Sequence, residues 1–146
     1  MKVIKTLAGG LAGACVLTLT HETIRRFVPD APRMDVLGMR AISKGMEKAD
    51  VAPPSNDDKL HTWALVGDVI SNSLYYSFTG TGKKAILRGA FLGVNAGLGA
   101  VYLPGPLGLG NAPSKRTPKT KAMTVGLYLL GGLTAGTVGC LWSNKK

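Results

Sequence analysis

The sequence predicts an all-α integral membrane protein in which four transmembrane helices form a glycine-rich bundle. Four apolar stretches each have about the length that a helix needs to cross the hydrocarbon core of a bilayer, which is about 20 residues. The polar links between them are too short to form a soluble domain, so the whole chain of 146 residues is expected to be a single membrane domain. The predicted spans cover about residues 3–27, 61–79, 84–103 and 122–142.

The first predicted span extends beyond its apolar part. No helix-breaking residue occurs between that part and Pro29, so the helix should continue through His21 and Glu22. Glu22 precedes Arg25 and Arg26 by three and four residues, the helical spacing that favours an ion pair. A basic start and an apolar run are also typical of a secretory signal. This run, however, continues past residue 15 instead of giving way to a polar chain.

Residues 33–49 predict a short amphipathic helix between the first and second spans. Met34, Leu37 and Ile42 can share one side of it, while Arg40 and most other charged residues lie elsewhere. Such a helix can lie in the headgroup plane of the bilayer. Alternatively, its apolar side can pack on its own protein. The sequence favours neither arrangement over the other.

The second and third spans are expected to form an antiparallel hairpin. Residues 79–82 include two glycines suited to a tight turn, and Lys83 and Lys84 mark the membrane interface. If the two helices pair directly about this turn, Asp68 lies level with Asn95. We therefore expect these two side chains to be linked by a hydrogen bond, either directly or through a single water molecule.

The link before the last span, residues 104–121, contains four prolines and cannot form one long helix. Its second half is basic. Aromatic residues near the span ends are expected at the level of the lipid headgroups, as is typical of membrane proteins. These residues are Trp63, Tyr75, Tyr76, Tyr102 and Trp142.

Glycines in three of the predicted spans recur at a spacing of four residues, which places them on one face of each helix. Small residues on one face let helix backbones approach closely, and this packing stabilises helix pairs in lipid. We favour packing within a single bundle over a separate face for a partner. The predicted helix-packing residues are Gly9, Gly13, Gly89, Gly93, Gly97, Gly132 and Gly136.

Four polar residues are expected inside the membrane. Asp68 lies about seven residues into the second span, and Asn72 follows one helical turn later. Arg88 and Asn95 share a face of the third span. An ionisable group at such depth is costly and usually faces inward, where it has a partner. Asp68 is therefore either a structural acid or a site for a proton or a cation, and we favour the structural interpretation.

His21, Glu22 and His61 lie where the first span ends and the second begins, so they are expected to form a polar cluster at the membrane interface. Their spacing matches no compact zinc motif of the His-Glu-x-x-His kind. We expect no metal and no cofactor. No catalytic set is recognisable, and the chain lacks phosphate-binding loops and the Gly-x-Ser-x-Gly motif of hydrolases.

The formal net charge of +10 does not indicate a nucleic-acid partner. Nearly all the basic residues lie at the ends of apolar stretches, where lysine and arginine meet anionic lipid and determine orientation. The expected partners are the lipid bilayer and either other membrane subunits or further copies of the chain. The leading functional hypothesis is a structural or accessory membrane protein and not an enzyme. The alternative is a small homo-oligomeric channel or transporter that uses Asp68, Asn72 and Asn95.

The distribution of lysine and arginine predicts the topology. The two long links together hold eleven basic residues, and the opposite side of the membrane holds six. By the positive-inside rule, both long links lie in the cytoplasm and both termini lie outside, in what we expect to be a bacterial cytoplasmic membrane.

The topology can be tested by cysteine labelling from outside the cell, after Cys15 and Cys140 have been replaced by alanine. A membrane-impermeant maleimide should modify Lys145→Cys and leave Lys48→Cys unmodified. The opposite pattern would show that the orientation is reversed.

Overall fold

The structure, a computed structural model, describes residues 2–143, and this part of the chain contains no β-strand. Its helices in that range are α1 Lys2–Phe27, α2 Met34–Lys48, α3 Asp57–Ser77, α4 Ala85–Tyr102, α5 Ala112–Lys115 and α6 Pro118–Ser143. The prediction of an all-helical chain is therefore confirmed. Lys145 and Lys146, which contributed to the topology prediction, lie outside the described residues.

Three helices, α1, α4 and α6, are long and apolar enough to cross a membrane. They correspond to the first, third and fourth predicted spans. The second predicted span forms α3, which has 21 residues but does not reach the same apolarity. The polar residues His61, Asp68 and Asn72 all lie within this helix. The structure is thus consistent with a membrane protein. Three of the four predicted spans form helices whose length and apolar composition would allow them to cross a membrane.

The four long helices are arranged as a curved row in the order α3, α1, α6, α4, and neighbouring helices in this row run antiparallel. One end of the bundle, the basic end, is where α1 and α4 finish and where α3 and α6 start. The other end, the turn end, contains the start of α1 and the α3–α4 connection. There the Gly82 N–H donates a hydrogen bond of 3.3 Å to the carbonyl oxygen of Gly139 near the end of α6.

The predicted direct pairing of α3 with α4 is wrong. The two helices are consecutive and antiparallel, but they touch at few places, because α3 packs mainly on α1 and α4 packs mainly on α6. The Tyr75 hydroxyl of α3 donates a hydrogen bond of 3.0 Å to the carbonyl oxygen of Leu92 in α4. From this point to the basic end, α3 and α4 are separated by a gap.

The predicted helix-packing glycines lie at the helix contacts of this row. A methyl group at Gly89 would overlap the carbonyl oxygen of Gly132, and one at Gly132 would overlap that of Gly89. Gly93 and Gly97 also face the α6 backbone, and Gly136 faces the start of α4. The backbones of α4 and α6 therefore approach too closely for larger residues at these positions.

The contact between α1 and α6 involves the remaining predicted glycines. A methyl group at Gly13 would overlap the carbonyl oxygen of Gly131, and a methyl group at Gly9 would lie 3.3 Å from that of Ala135. Gly10, which the spacing rule did not select, faces the backbone of Ser73 on α3. Helix α6 thus has one closely packed side toward α4 and another toward α1.

Polar contacts tie α2 and the connection between α4 and α6 together across the basic end. Arg40 donates a hydrogen bond of 2.7 Å to the carbonyl oxygen of Leu109, and Lys44 donates one of 2.6 Å to that of Leu107. The Arg33 N–H donates to the carbonyl oxygen of Pro113 at 2.8 Å. Helix α2 therefore packs on its own protein, with its apolar side toward the bundle.

Comparison of two glycines on α6 tests the importance of close packing. Gly132→Ala should lower the free energy of unfolding by about 1–3 kcal/mol, because its methyl group would meet the backbone of α4. Gly126→Ala is the matched control, since no atom lies within 4 Å of a methyl group there. The control should be neutral or should stabilise by up to about 1 kcal/mol, the helix-propensity difference between alanine and glycine.

The measurement is denaturant unfolding in detergent micelles, followed by circular dichroism. Equal effects of the two substitutions would contradict the packing role of Gly132.

Candidate functional site

The gap between α3 and α4 opens into a cavity of about 670 Å³. Its lining is mostly apolar and comes from α2, α3, α4, α6 and the segment after α4. The apolar lining residues nearest the basic end are Met34, Leu37, Ile42, Ala64, Ala100, Leu103 and Leu107. The polar lining residues, Asp68, Ser71, Tyr75 and Asn95, lie deeper along α3 and α4. Apolar and polar surfaces are thus separated along the length of the cavity.

Two adjacent tyrosines of α3 lie at the turn end of the cavity: Tyr75 lines it, and Tyr76 is buried without lining it. Tyr75 hydrogen-bonds to α4, as described above. The buried Tyr76 hydroxyl donates a hydrogen bond of 2.7 Å to the carbonyl oxygen of Tyr128 in α6. The two rings meet edge to face, with their centroids 5.6 Å apart. Both hydroxyls thus bond to neighbouring helices of the bundle, and the expectation that Tyr75 and Tyr76 lie at headgroup level stays a prediction.

Toward the basic end, the cavity is covered by a roof. We use this word for α2 together with residues 103–109, which the bonds from Arg40 and Lys44 hold to each other. Helix α2 also contacts α3, where a methyl group at Gly38 would lie 3.2 Å from the Ala64 side chain. The cavity is thus covered at one end, closed at the other and open at the side between α3 and α4.

The Asp68 carboxylate forms part of the cavity wall and is mostly buried. It accepts a hydrogen bond of 2.8 Å from the Asn72 amide and one of 3.4 Å from the Thr18 hydroxyl of α1. Within residues 2–143, no lysine, arginine or histidine nitrogen lies within the 4.0 Å that defines an ion pair with Asp68. The carboxylate therefore has hydrogen-bond donors but no ion-pair partner in the described chain.

Two of the other predicted intramembrane residues share this region, and one does not. Asn72 is buried beside Asp68, and Asn95 lines the same cavity from α4. A direct hydrogen bond between Asp68 and Asn95, one of the two predicted forms, is absent, because α3 and α4 are separated here. The Asn95 amide donates instead to the carbonyl oxygen of Phe91 in its own helix, at 2.7 Å. Arg88 lies at the turn end, where it donates to the carbonyl oxygen of Thr81 at 3.1 Å.

The predicted interfacial cluster assembles beside the cavity. His21, Glu22 and His61 line a second, much smaller cavity of about 20 Å³. Asp35 and Asp68 line it as well, so Asp68 borders both cavities. His61, from α3, is thus brought close to the end of α1, as the sequence predicted.

An ionic network fastens the start of α2 to the end of α1. Arg25 donates a hydrogen bond of 2.6 Å to Glu22 and lies 3.8 Å from the Asp35 carboxylate. Arg33 makes a two-pronged contact with Asp35, with hydrogen bonds of 2.9 and 2.8 Å. The His21 Nε2 atom lies 3.0 Å from the carbonyl oxygen of Pro32 and also faces the first residue of α2.

Asp35 is the most buried carboxylate of this network, with 3% of its side chain exposed. Burial alone would raise the pKa of the Asp35 carboxyl. The hydrogen bonds from Arg33 and the positive charges of Arg33 and Arg25 outweigh burial and hold the pKa below its ordinary value. Folding therefore favours the charged form of Asp35.

Sequence reasoning missed two residues that shape the site and the role of a third. It selected neither Thr18 nor Asp35, and it predicted Tyr76 only as an aromatic residue near a span end. The only sequence signal for Asp35 was its place in the first turn of α2, where an acid favours helix formation. Its pairing with Arg25 depends on the chain reversal at residues 28–33, which no spacing rule indicates.

Asp35→Asn should lower the free energy of unfolding at pH 7 by about 1–3 kcal/mol, through loss of charged hydrogen bonds to Arg33. Because folding lowers the pKa of Asp35, its contribution is complete above about pH 4, the ordinary carboxyl range, and is lost as the pH falls through the folded-state pKa. The difference between wild type and Asp35→Asn should therefore shrink below about pH 4.

Unfolding measured in detergent between pH 7 and pH 3 checks this expectation. The control is Asp30→Asn. Its partner Arg116 lies 3.5 Å away and has 54% of its side chain exposed, so this substitution should change the free energy of unfolding by less than about 1 kcal/mol. A difference for Asp35→Asn that is independent of pH would contradict the assigned role of its charge.

Residues 2–143 contain no group of three or more histidine, cysteine, aspartate or glutamate side chains arranged to hold a metal ion. Cys15 and Cys140 are free thiols on different helices. Comparisons with protein families, with curated proteins and with solved structures found no match to this chain.

Proposed function

We propose that the protein is a four-span membrane carrier that binds a positively charged solute at Asp68, in the cavity between α3 and α4. The observation that supports this proposal is a mostly buried carboxylate, without an ion-pair partner, in the wall of a 670 Å³ cavity. An ionisable group inside a membrane is costly, and such groups commonly mark substrate or ion pathways. A cation that enters the cavity would supply the missing charge partner.

The proposal includes α3 as the fourth span, and the exposure of its side chains supports this. Trp63, Val66, Ile70 and Leu74 are exposed on one side of the helix, at spacings of three and four residues. Asp68 borders the cavity and accepts a hydrogen bond from Thr18 of α1, and Asn72 is buried beside it, whereas Thr62, one turn before Val66, is exposed. The carboxylate and amide groups in the middle of α3 are therefore turned away from the surface that would contact lipid.

The shape of the cavity favours a carrier over an open channel. At its turn end the cavity is lined by Tyr75, which bonds to α4, and the adjacent Tyr76 bonds to α6. Beyond these side chains the close glycine contacts of α6 leave little space. A bound solute would have to wait for a rearrangement of these side chains before it could leave on the other side. We further propose a bacterial cytoplasmic membrane, with the basic end in the cytoplasm, on the basis of the positive-inside rule.

The structural or accessory role remains the second candidate, and one observation favours it. Asp68 already accepts hydrogen bonds from Thr18 and Asn72, as expected of an acid that joins α1 to α3. The packing glycines, however, face neighbouring helices of the same chain. A partner subunit would therefore have to bind the outer apolar surface and not a glycine-rich face.

Asp68→Asn separates the two candidates, because it removes the charge and preserves the shape and part of the hydrogen bonding. The organic cation tetraphenylphosphonium should bind the wild-type protein in lipid nanodiscs, and Asp68→Asn should weaken that binding at least about tenfold, or about 1.4 kcal/mol. The control is Asp58→Asn, an exposed acid at the start of the same helix. It should bind like the wild type in equilibrium dialysis.

Stability provides the second readout. Hydrogen bonds between membrane helices contribute only about 0.6 kcal/mol on average, so Asp68→Asn should remain folded. Equal affinity for the cation in wild type and Asp68→Asn would reject the carrier proposal and favour the structural role.

A further inference from the structure

We infer that the ligand of this cavity is a single-chain amphiphile with an ammonium headgroup, and that it enters from the lipid through the gap between α3 and α4. This inference rests on the proposed function and specifies its substrate class. Three features of the structure carry it: the distribution of polar groups in the cavity, the position of its opening, and the charges that surround it.

The cavity has separate surfaces for a polar head and an apolar chain. Asp68, Ser71 and Asn95 line its part nearer the turn end, where Asp68 is mostly buried and Ser71 and Asn95 are exposed at the gap. The wall between them and the roof is formed by alkyl side chains and glycine. A small hydrophilic cation would leave most of this apolar wall without contacts. A molecule with a charged head and an alkyl chain would fill both parts of the cavity.

The opening lies at the side of the bundle and not at its end. The roof covers the basic end, where Arg40 and Lys44 bond to the carbonyl oxygens of residues 109 and 107. Between the roof and the bond from Tyr75 to Leu92, α3 and α4 do not close against each other. The cavity can therefore be reached by way of the gap without separating α2 from residues 103–109.

The gap is bordered by the surface that would contact lipid. On α3, the cavity-lining Ser71 is adjacent to the exposed Ile70 and Leu74. On α4, the cavity-lining Asn95 is adjacent to the exposed Val94, and Leu98 follows one turn later. An alkyl chain could pass from the bilayer into the cavity beside these apolar side chains without being exposed to water, while the exposed Ser71 and Asn95 offer hydrogen-bonding groups to the head at the gap.

The surrounding charges select a cationic head over an anionic one. Asp68 is the only charged side chain that lines this cavity among the described residues. The nearest basic side chains of the roof, Arg40 and Lys44, are bonded to backbone carbonyl oxygens. A phosphate or sulfate head would meet the Asp68 carboxylate without a compensating cation. An ammonium head would form the ion pair that the chain itself does not supply.

The first experiment measures binding of butyl-, octyl- and dodecylammonium to the protein in nanodiscs, by displacement of tetraphenylphosphonium. In terms of aqueous concentration, affinity should rise about threefold or more for each methylene that becomes buried. Dodecyl sulfate should not displace the probe. Gly67→Phe, which places a ring in the cavity beside Asp68, should weaken dodecylammonium binding at least about tenfold.

Gly126→Phe is the matched control for Gly67→Phe. Both glycines are helical, a methyl group at Gly67 would meet only the tip of Ile42 at 4.0 Å, and one at Gly126 would meet nothing within 4 Å. Of these two glycines, only Gly67 lines the cavity. Gly126→Phe should therefore bind dodecylammonium like the wild type, and equal loss in both variants would overturn the assigned binding position.

The second experiment tests entry from the lipid in a variant whose native cysteines are replaced by alanine. Ser71→Cys should react with the lipid-soluble pyrene maleimide, dodecylammonium should protect it, and a charged, water-soluble maleimide should fail to label it. Lys48→Cys, at the exposed end of α2, should react with the water-soluble reagent. Labelling of both positions by the charged reagent at equal rates would overturn entry from the lipid.

The outcomes distinguish this inference from the proposed function. If butylammonium binds as tightly as dodecylammonium and its binding requires Asp68, the carrier proposal stands, but the inference that the ligand is an amphiphile is wrong. If dodecyl sulfate competes as well as dodecylammonium, the inference that the cavity selects an ammonium headgroup is wrong. If no ammonium compound binds, or if Asp68→Asn binds them all unchanged, the proposed function and this inference both fail.

Discussion

The close backbone contact of α6 with two neighbours is the constraint on which the arrangement of the bundle depends. Gly132 approaches Gly89 of α4, while Gly131, on the adjacent side of α6, approaches Gly13 of α1. Because α6 is held between these two helices, α4 lies on one side of it, and α3, which packs on α1, contacts it at few places, among them Tyr76. Two consecutive helices are thereby kept apart. The cavity between α3 and α4 is a consequence of where the close contacts are, and its wall needs no strained or unusual backbone.

A second set of contacts determines which way the cavity opens. The ion pairs of Asp35 with Arg33 and Arg25 fasten the start of α2 to the end of α1. Farther along α2, Arg40 and Lys44 bond to the segment after α4. Charged residues at the basic end thus hold the roof in place, in addition to the orienting role that the positive-inside rule predicts for them. With the roof fixed and Tyr75 bonded to α4 at the opposite end, the side of the bundle is the remaining way in.

The sequence predicts the helices well and their neighbours poorly. Apolar length indicates α1, α4 and α6 to within a few residues, and the depth of Asp68 in α3 follows from its distance to the helix start. The pairing of α3 with α4 was predicted from their adjacency in the chain, which does not determine contact in space. The decisive information is that α6 carries small residues on two sides, Gly132 and Gly136 toward α4 and Gly131 and Ala135 toward α1. A spacing rule that selects only one face per helix misses the second side of α6. It therefore also misses the gap between α3 and α4 and the hydrogen bond from Thr18 to Asp68.

The choice of aspartate at position 68 is itself an argument about function. For joining α1 to α3, an asparagine or a serine would accept a hydrogen bond from Thr18 at a much smaller cost of removal from water. A carboxylate strengthens this connection between α1 and α3 only if a positive group compensates its charge. The described chain places no such group within ion-pair distance of Asp68. The same carboxylate borders a cavity large enough for a ligand. The cost of burying Asp68 is therefore easier to explain by a cation that comes from outside the chain than by the stability of the bundle.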